Sequence, residues 1–128
     1  MAKIAIMGFG TVGSGVLEVC RRNAASIARR AGEPVEVKYI LDVRDFPDSP
    51  YRDCFVKDFG VIESDPEVDI VVETIGGATV ALDFTTRALK AGKSVVSSNK
   101  ELVATHGYEL LQLAKAVSYT HLTLPTNS

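Results

Sequence analysis

Residues Gly8-Phe9-Gly10-Thr11-Val12-Gly13 spell a complete G-x-G-x-x-G between a short apolar run and an amphipathic segment. The run before it, Lys3-Ile4-Ala5-Ile6-Met7, reads as a strand, and the segment opening at Val12 reads as a helix. A glycine-rich loop alone is common. Between a strand and a helix it is the fingerprint of dinucleotide binding, and this context favours that reading over an ordinary tight turn. Each glycine has a physical task. Gly8 lets the chain turn sharply out of the strand. Gly10 has no Cβ, so backbone can approach a pyrophosphate. Gly13 lets the helix pack close to the strand. The helix N-terminus then presents unpaired N–H groups and a partial positive charge to phosphate.

The rest of the chain repeats the alternation of strand and helix. Val12, Val16, Val19, Cys20 and Ile27 recur at helical spacing, with Arg21, Arg22, Arg29 and Arg30 on the remaining surface and Gly32 and Pro34 as a stop. Residues 35–41 read as a second strand, followed by a surface loop at 45–51 that holds Pro47 and Pro50. Residues 53–65 are weakly patterned and fit a short helix or a strand. The β-branched run 68–73 is a strand. Residues 79–91 read as a helix with Val80, Phe84, Ala88 and Ala91 on one face, closed by Gly92. Residues 94–97 form another buried strand, and a last helix carries Leu110, Leu113, Ala114 and Val117. Such an order predicts an α/β, Rossmann-type doubly wound parallel sheet with helices on both faces, incomplete at its C-terminal end.

Bulk properties exclude several classes. A chain of 128 residues makes one domain, and a net charge of −2 leaves no electrostatic footprint for nucleic acid or an anionic membrane. No apolar run approaches a membrane span, and because the N-terminus goes straight into the first strand no signal peptide is expected. Cys20 and Cys54 make no disulfide framework and no metal-ligand spacing, so a cytoplasmic, thiol-reduced protein without a metal site is expected. Cys20 reads as a small core residue.

In an open parallel sheet, ligands lie beyond the carboxyl ends of the strands. Here those ends are residues 8–13, 42–45, 74–77 and 97–100, and they are expected to converge on one crevice. After the second strand, Asp42 suits the two ribose hydroxyls of NAD, whereas Arg44 suits the 2′-phosphate of NADP. Both readings stay open, beside that of a solvated turn. Gly76-Gly77 either lets backbone approach a cofactor or starts the next helix. Lys100 opens a helix, where the dipole opposes a cation, so a paired anion or ligand accounts for it better than a bland surface lysine. His106, before Gly107, sits at an expected break between two helical turns and reads as structural.

Three segments together, residues 6–16, residues 65–73 with Gly76-Gly77, and residues 91–104, resemble the N-terminal cofactor domain of homoserine dehydrogenase. The first is shared with many dehydrogenases; the order and spacing of all three is more specific. The resemblance covers about Lys3 to Ala116. It implies hydride transfer between NADP or NAD and aspartate 4-semialdehyde or homoserine, on the route to threonine and methionine, by an enzyme that is a homo-oligomer at full length. On the matching positions it implies cofactor contacts from Gly8, Phe9, Gly10, Thr11, Val12 and Gly13. It further implies that Arg44 meets the adenosine phosphate, that Thr74 contacts the cofactor, and that Lys100 lies near nicotinamide and substrate with an electrostatic role.

The family continues into a substrate domain with a proton-donating lysine, which this chain lacks. Residues 117–128, rich in Thr and Ser, fit no continuation of the helical stripe and resemble translated adapter sequence. They are read as a non-native tail in which His121 carries no weight, although 117–122 alternates enough to form a strand. The expected catalytic inventory of the fragment is therefore empty. Two other readings remain: an aspartate or aspartate-semialdehyde type of two-domain dehydrogenase, and a stand-alone NAD(P)-binding regulatory module. The semialdehyde type needs a cysteine at a strand exit, and neither cysteine is at one.

Overall fold

A computed structural model describes residues 2–22, 32, 35–116 and 122–123. Its elements run β1 (Ala2–Met7), α1 (Thr11–Arg22), β2 (Val35–Leu41), a 3-10 turn (Arg52–Cys54), β3 (Phe55–Val56) and α2 (Phe59–Glu63). They continue through β4 (Val68–Glu73), α3 (Thr79–Lys90), β5 (Ser94–Ser97), α4 (Lys100–Ala116) and β6 (Leu122–Thr123). The strands form one sheet in the order β3-β2-β1-β4-β5-β6, and every pair is parallel. The chain walks outward from β1 to β3, then returns to β4 on the other side of β1. That reversal puts a switch point between the carboxyl ends of β1 and β4, where Met7 stands opposite both Leu41 and Glu73.

Strand alternation divides the core in two. Ala5, Met7, Val71 and Val95 face α2, α3 and α4, meeting Phe59, Ile62, Ala88, Leu89, Leu102 and Leu110. Ile4, Ile6 and Ile40 face α1 through Leu17, with Val16, Cys20, Ile70 and Val72 at the margin. Strands buried on both faces need apolar residues at successive positions, which explains the continuous runs in β1 and β4. Cys20 and Cys54 are free thiols at the edge of this second core, each pushed up by burial.

Several expected faces turn out rotated. On α1 the buried residues are Gly13 and Leu17, while Val12 and Val19 are 53% and 55% exposed. Gly13 must touch the β1 exit, and its partner one turn on, Leu17, is thereby turned inward. On α3 the buried side is Ala81, Thr85, Ala88 and Leu89, so Val80 and Ala91 are exposed. Small side chains let α3 lie close to the sheet and leave Val80 facing the strand exits. Gly92 ends α3 at φ +83°, with the Lys93 N–H donating back to Ala88 O (3.0 Å).

The ambiguous stretch 53–65 resolves into the end of the 3-10 turn, the two-residue β3 and the short α2, capped by Asp58 through the Gly60 N–H (2.9 Å). The expected break at His106-Gly107 is absent. Helix α4 runs unbroken because Gly107 is buried on its packing face. The readings placed on Ile27, Arg29, Arg30, Pro34, Val117 and His121 lie outside the described residues. Of the strand expected over 117–122, Leu122 is described, and with Thr123 it pairs with Val95 and Val96.

Candidate functional site

The fingerprint loop is anchored at both ends by neighbouring strands. Gly8 takes φ +95°, and its N–H donates to Leu41 O (2.8 Å). The Thr74 N–H donates to Met7 O (3.0 Å), and its hydroxyl lies 2.8 Å from Met7 O and 2.9 Å from Gly8 O. With one proton for two carbonyls, Thr74 secures the loop from the β4 side. A Cβ on Gly13 would fall 2.0 Å from Gly8 O, whereas one on Gly10 would meet nothing within 4 Å. The Ser14 N–H donates to Gly10 O (2.9 Å), so the amides of Thr11, Val12 and Gly13 precede the first helical bond.

Asp42 and Arg44 are partners rather than rivals. Asp42 Oδ1 accepts from the Arg44 N–H (2.9 Å) and Nε (3.1 Å); Oδ2 accepts from Arg44 Nη2 (2.9 Å) and the Phe9 N–H (3.0 Å). The guanidinium above all holds the Asp42 carboxyl well below the usual carboxylate range. The carboxylate is 7% exposed and the Arg44 side chain 60%. Arg44 Nη2 also reaches Phe9 O (3.2 Å), tying the β2 exit to the fingerprint loop. The Phe9 ring meets Phe46 and Phe55 edge-on at 5.3 and 5.0 Å, and Arg44 lies 5.2 Å over Phe46.

The β4 and β5 exits are joined through a buried acid. Glu73 is fully buried; its carboxylate accepts from the Ile75 N–H (2.6 Å) and the Ser97 hydroxyl (2.7 Å). Burial pushes its carboxyl up, against those hydrogen bonds. The Asn99 amide donates to Ile75 O (2.8 Å) and to Gly77 O, and its Oδ1 accepts from the Leu102 N–H (2.9 Å) at the start of α4.

Three of the four strand exits line a cavity of about 390 Å³: Gly8 to Gly10 from β1, Leu41 to Arg44 from β2, and Thr74 to Gly76 from β4. Val80 and Phe84 of α3 and Lys57 complete it. A second hollow of about 410 Å³ adjoins it, sharing Asp42, Arg44 and Lys57 and adding Asp45, Phe46, Pro47, Arg52 and Phe55. The fourth exit departs from expectation. Ser97 and Asn99 are buried in hydrogen bonds to the end of β4 and to the loop after it, and Lys100 is exposed at the head of α4, outside both cavity linings. Thr11 and Val12 are likewise exposed beside the cavity rather than in its wall. His106 is away from the site, its Nδ1 3.6 Å from Glu109 one turn along.

Val80 and Phe84 have a signal in the sequence, the i, i+4 apolar pair after Gly76-Gly77, but it reads as core. Lys57 has none, since it comes after a strand of two residues. It pairs with Asp45 on the surface (2.7 Å). Among the described residues no group of three His, Cys, Asp or Glu side chains could hold a metal, and no helix is long and apolar enough to cross a membrane.

An open loop at Gly10, helix-start amides, and the cations Arg44 and Lys57 at the β2 and β3 exits fit the two phosphates and ribose of a dinucleotide. The fold and this cradle define a Rossmann-type nicotinamide dinucleotide-binding domain. The family model for the homoserine dehydrogenase NAD-binding domain matches residues 8–124, and the chain belongs to that family. It is 42% identical over 114 residues to the homoserine dehydrogenase of Pseudomonas aeruginosa, covering 88% of this chain and 26% of the relative. The Corynebacterium glutamicum homoserine dehydrogenase is 42% identical over 118 residues, covering 90% and 26%. Among solved structures, homoserine dehydrogenase from S. aureus at pH 7.0 superposes with TM-score 0.86 and 32% identity, over 96% of this chain and 32% of that one. The Thiobacillus denitrificans homoserine dehydrogenase gives TM-score 0.86 and 37% identity, over 96% and 29%. The chain thus spans about a quarter of the length of the curated relatives it matches.

Proposed function

We propose that this chain is the cofactor-binding part of a homoserine dehydrogenase, serving hydride transfer between NAD(P)H and aspartate 4-semialdehyde, or back from homoserine. The observation that carries the reading is the three-exit cavity built on the fingerprint loop, in a chain of this family. A bound nicotinamide dinucleotide would supply the hydride. Gly8, Phe9, Gly10 and Gly13 shape the phosphate cradle, and Thr11 and Val12 offer it their helix-start amides. Thr74 holds the loop against the cofactor's far side. Arg44 faces the adenosine ribose with Lys57 beside it, which favours NADP modestly over NAD. Lys100, outside the cavity wall, is an electrostatic residue for the substrate side.

The enzyme that this part serves acts in the cytoplasm in threonine and methionine biosynthesis, as a homo-oligomer without nucleic acid or membrane partners. The Thr- and Ser-rich composition of residues 117–128 supports a native end near Ala116, while the family match that runs on to residue 124 stands against it. A longer read of the gene tests that boundary and the substrate domain beyond it. The functional test is direct. Fluorescence titration of the 128-residue chain should show NADPH and NADH binding, while homoserine with NADP or NAD should give no measurable oxidation. No binding of either nucleotide refutes the site, and robust oxidation refutes the division of labour.

A further inference from the structure

Glu73 is an acid at full burial, at the strand end beside the switch point, and among the described residues no cation is bonded to it. Burying an ionisable group without an opposite charge is costly, so its position calls for a physical reason. Its two oxygens divide between two exits. Oε2 accepts from the Ile75 N–H, within the loop that lines the cavity; Oε1 accepts from the Ser97 hydroxyl at the end of β5. Ser97 Oγ in turn accepts from the Asn99 N–H (3.1 Å). Asn99 returns two bonds to the same loop, at Ile75 O and Gly77 O, and caps α4 through the Leu102 N–H. The result is a closed circuit: Glu73, Ile75, Asn99, Ser97, and back to Glu73. It fixes a loop whose Gly77 adopts φ +79° and, in the same stroke, the helix start that carries Lys100.

We propose that Glu73 is a positioning residue that acts through Ser97 and Asn99, locking the 74–77 loop of the cavity to the first turn of α4 as one unit. The proposal deepens the reading of that cavity as a dinucleotide site and rests on it for its consequence in binding. The chemistry explains why a carboxylate occupies the position. Two acceptor oxygens from one short stem satisfy a backbone N–H and a hydroxyl on different strands, which an apolar side chain cannot do. Lys100, exposed and outside the cavity wall, is then held in register with the cavity by the circuit rather than by a contact of its own.

The test uses amide hydrogen exchange on the 128-residue chain without nucleotide, then NADPH titration. Glu73→Gln keeps an acceptor for Ile75 and offers an NH₂ to Ser97 Oγ, so Ile75, Asn99 and Leu102 should exchange within about threefold of wild type. Glu73→Ala should speed all three by about tenfold or more while Ile6 and Val71 in the sheet stay unchanged, and NADPH affinity should fall about tenfold. If Glu73→Ala does not fold, Ser97→Ala carries the test and should speed Ile75 and Leu102 together. Acceleration of Ile75 alone, no local acceleration, or failure of Gln to rescue overturns the coupling. Absence of NADPH binding by the wild type instead refutes the dinucleotide reading, and the exchange result still decides the circuit.

Discussion

A Cβ on Gly13 would stand 2.0 Å from the carbonyl oxygen of Gly8, so the first turn of α1 and the exit of β1 are in direct backbone contact. That contact sets the rotation of the whole helix. Gly13→Ala forces the two apart and should destabilise the chain by about 3 kcal/mol or more, because no flexible side chain can yield. Gly15, two residues along the same helix, has nothing within 4 Å of its Cβ position. Gly15→Ala should therefore stabilise by about 0.5–1 kcal/mol, the helix-propensity gain alone. Urea unfolding of the pair separates packing from propensity; equal effects would contradict the contact.

Gly10 tests the other half of the loop. Its Cβ position is empty and its carbonyl already starts the helix, so Gly10→Val should cost about 1 kcal/mol or less, as a poorer N-cap. The branched side chain would nonetheless fill the space offered to a pyrophosphate. Titration with NADPH should show binding reduced by at least about a hundredfold, with thermal unfolding close to wild type. Unchanged affinity would mean that the loop is only a turn.

The contrast between these glycines explains what was legible in the sequence. Strand and helix order comes from alternation and from turn residues, both local properties, and it is found in place from β1 to α4. Helix rotation is not local. Val12 and Val19 look like core, yet the Gly13–Gly8 contact turns them to the surface. Val80 also looks like core and instead lines the cavity, because Ala81 and Thr85 lie closer to the sheet. Asp42 and Arg44 read as alternatives for one ribose, since spacing cannot show that one neutralises the other. Lys57 and the Glu73 circuit depend on which strands become neighbours, and a single sequence carries no local mark of that.

Glu73 also predicts an unusual pH response. Burial raises its folded carboxyl above the unfolded value, so its contribution to stability is fully present below the unfolded pKa, about 4.3 for glutamate, and is lost as pH rises through the folded value. Glu73→Gln removes this linkage while keeping the hydrogen-bonding shape. The variant should be more stable than wild type at pH 8, with the difference shrinking as pH falls toward 4. Unfolding midpoints at several pH values read this out. A variant less stable at pH 8 would show that the charged form is the preferred occupant.

Cofactor choice turns on Arg44. Its guanidinium is already joined to Asp42 through Nε and Nη2, yet the side chain is 60% exposed and borders both cavities. Asp42 orients the fork and neutralises part of its charge, which is why the preference for NADP should be modest. A charge-assisted contact of this kind to a 2′-phosphate corresponds to about 10- to 100-fold in affinity. Lys57, on the same rim, supplies a second cation when Arg44 is removed, so the loss should fall near the lower end of that range. In Arg44→Ala, NADP affinity should drop about tenfold and NAD affinity change by less than about threefold. The same substitution releases Asp42. In the wild type its folded pKa is depressed, so its stabilising contribution is present above the unfolded value, about 3.9, and is lost as pH falls through the folded one. Arg44→Ala should therefore lose stability at pH 7, and the gap to wild type should narrow in strong acid. Dissociation constants for both nucleotides, with unfolding at pH 7 and pH 2, check the two halves separately. An NADP preference that survives Arg44→Ala, or a wild type that prefers NAD, would assign the choice to another residue, with Lys57 the next to replace.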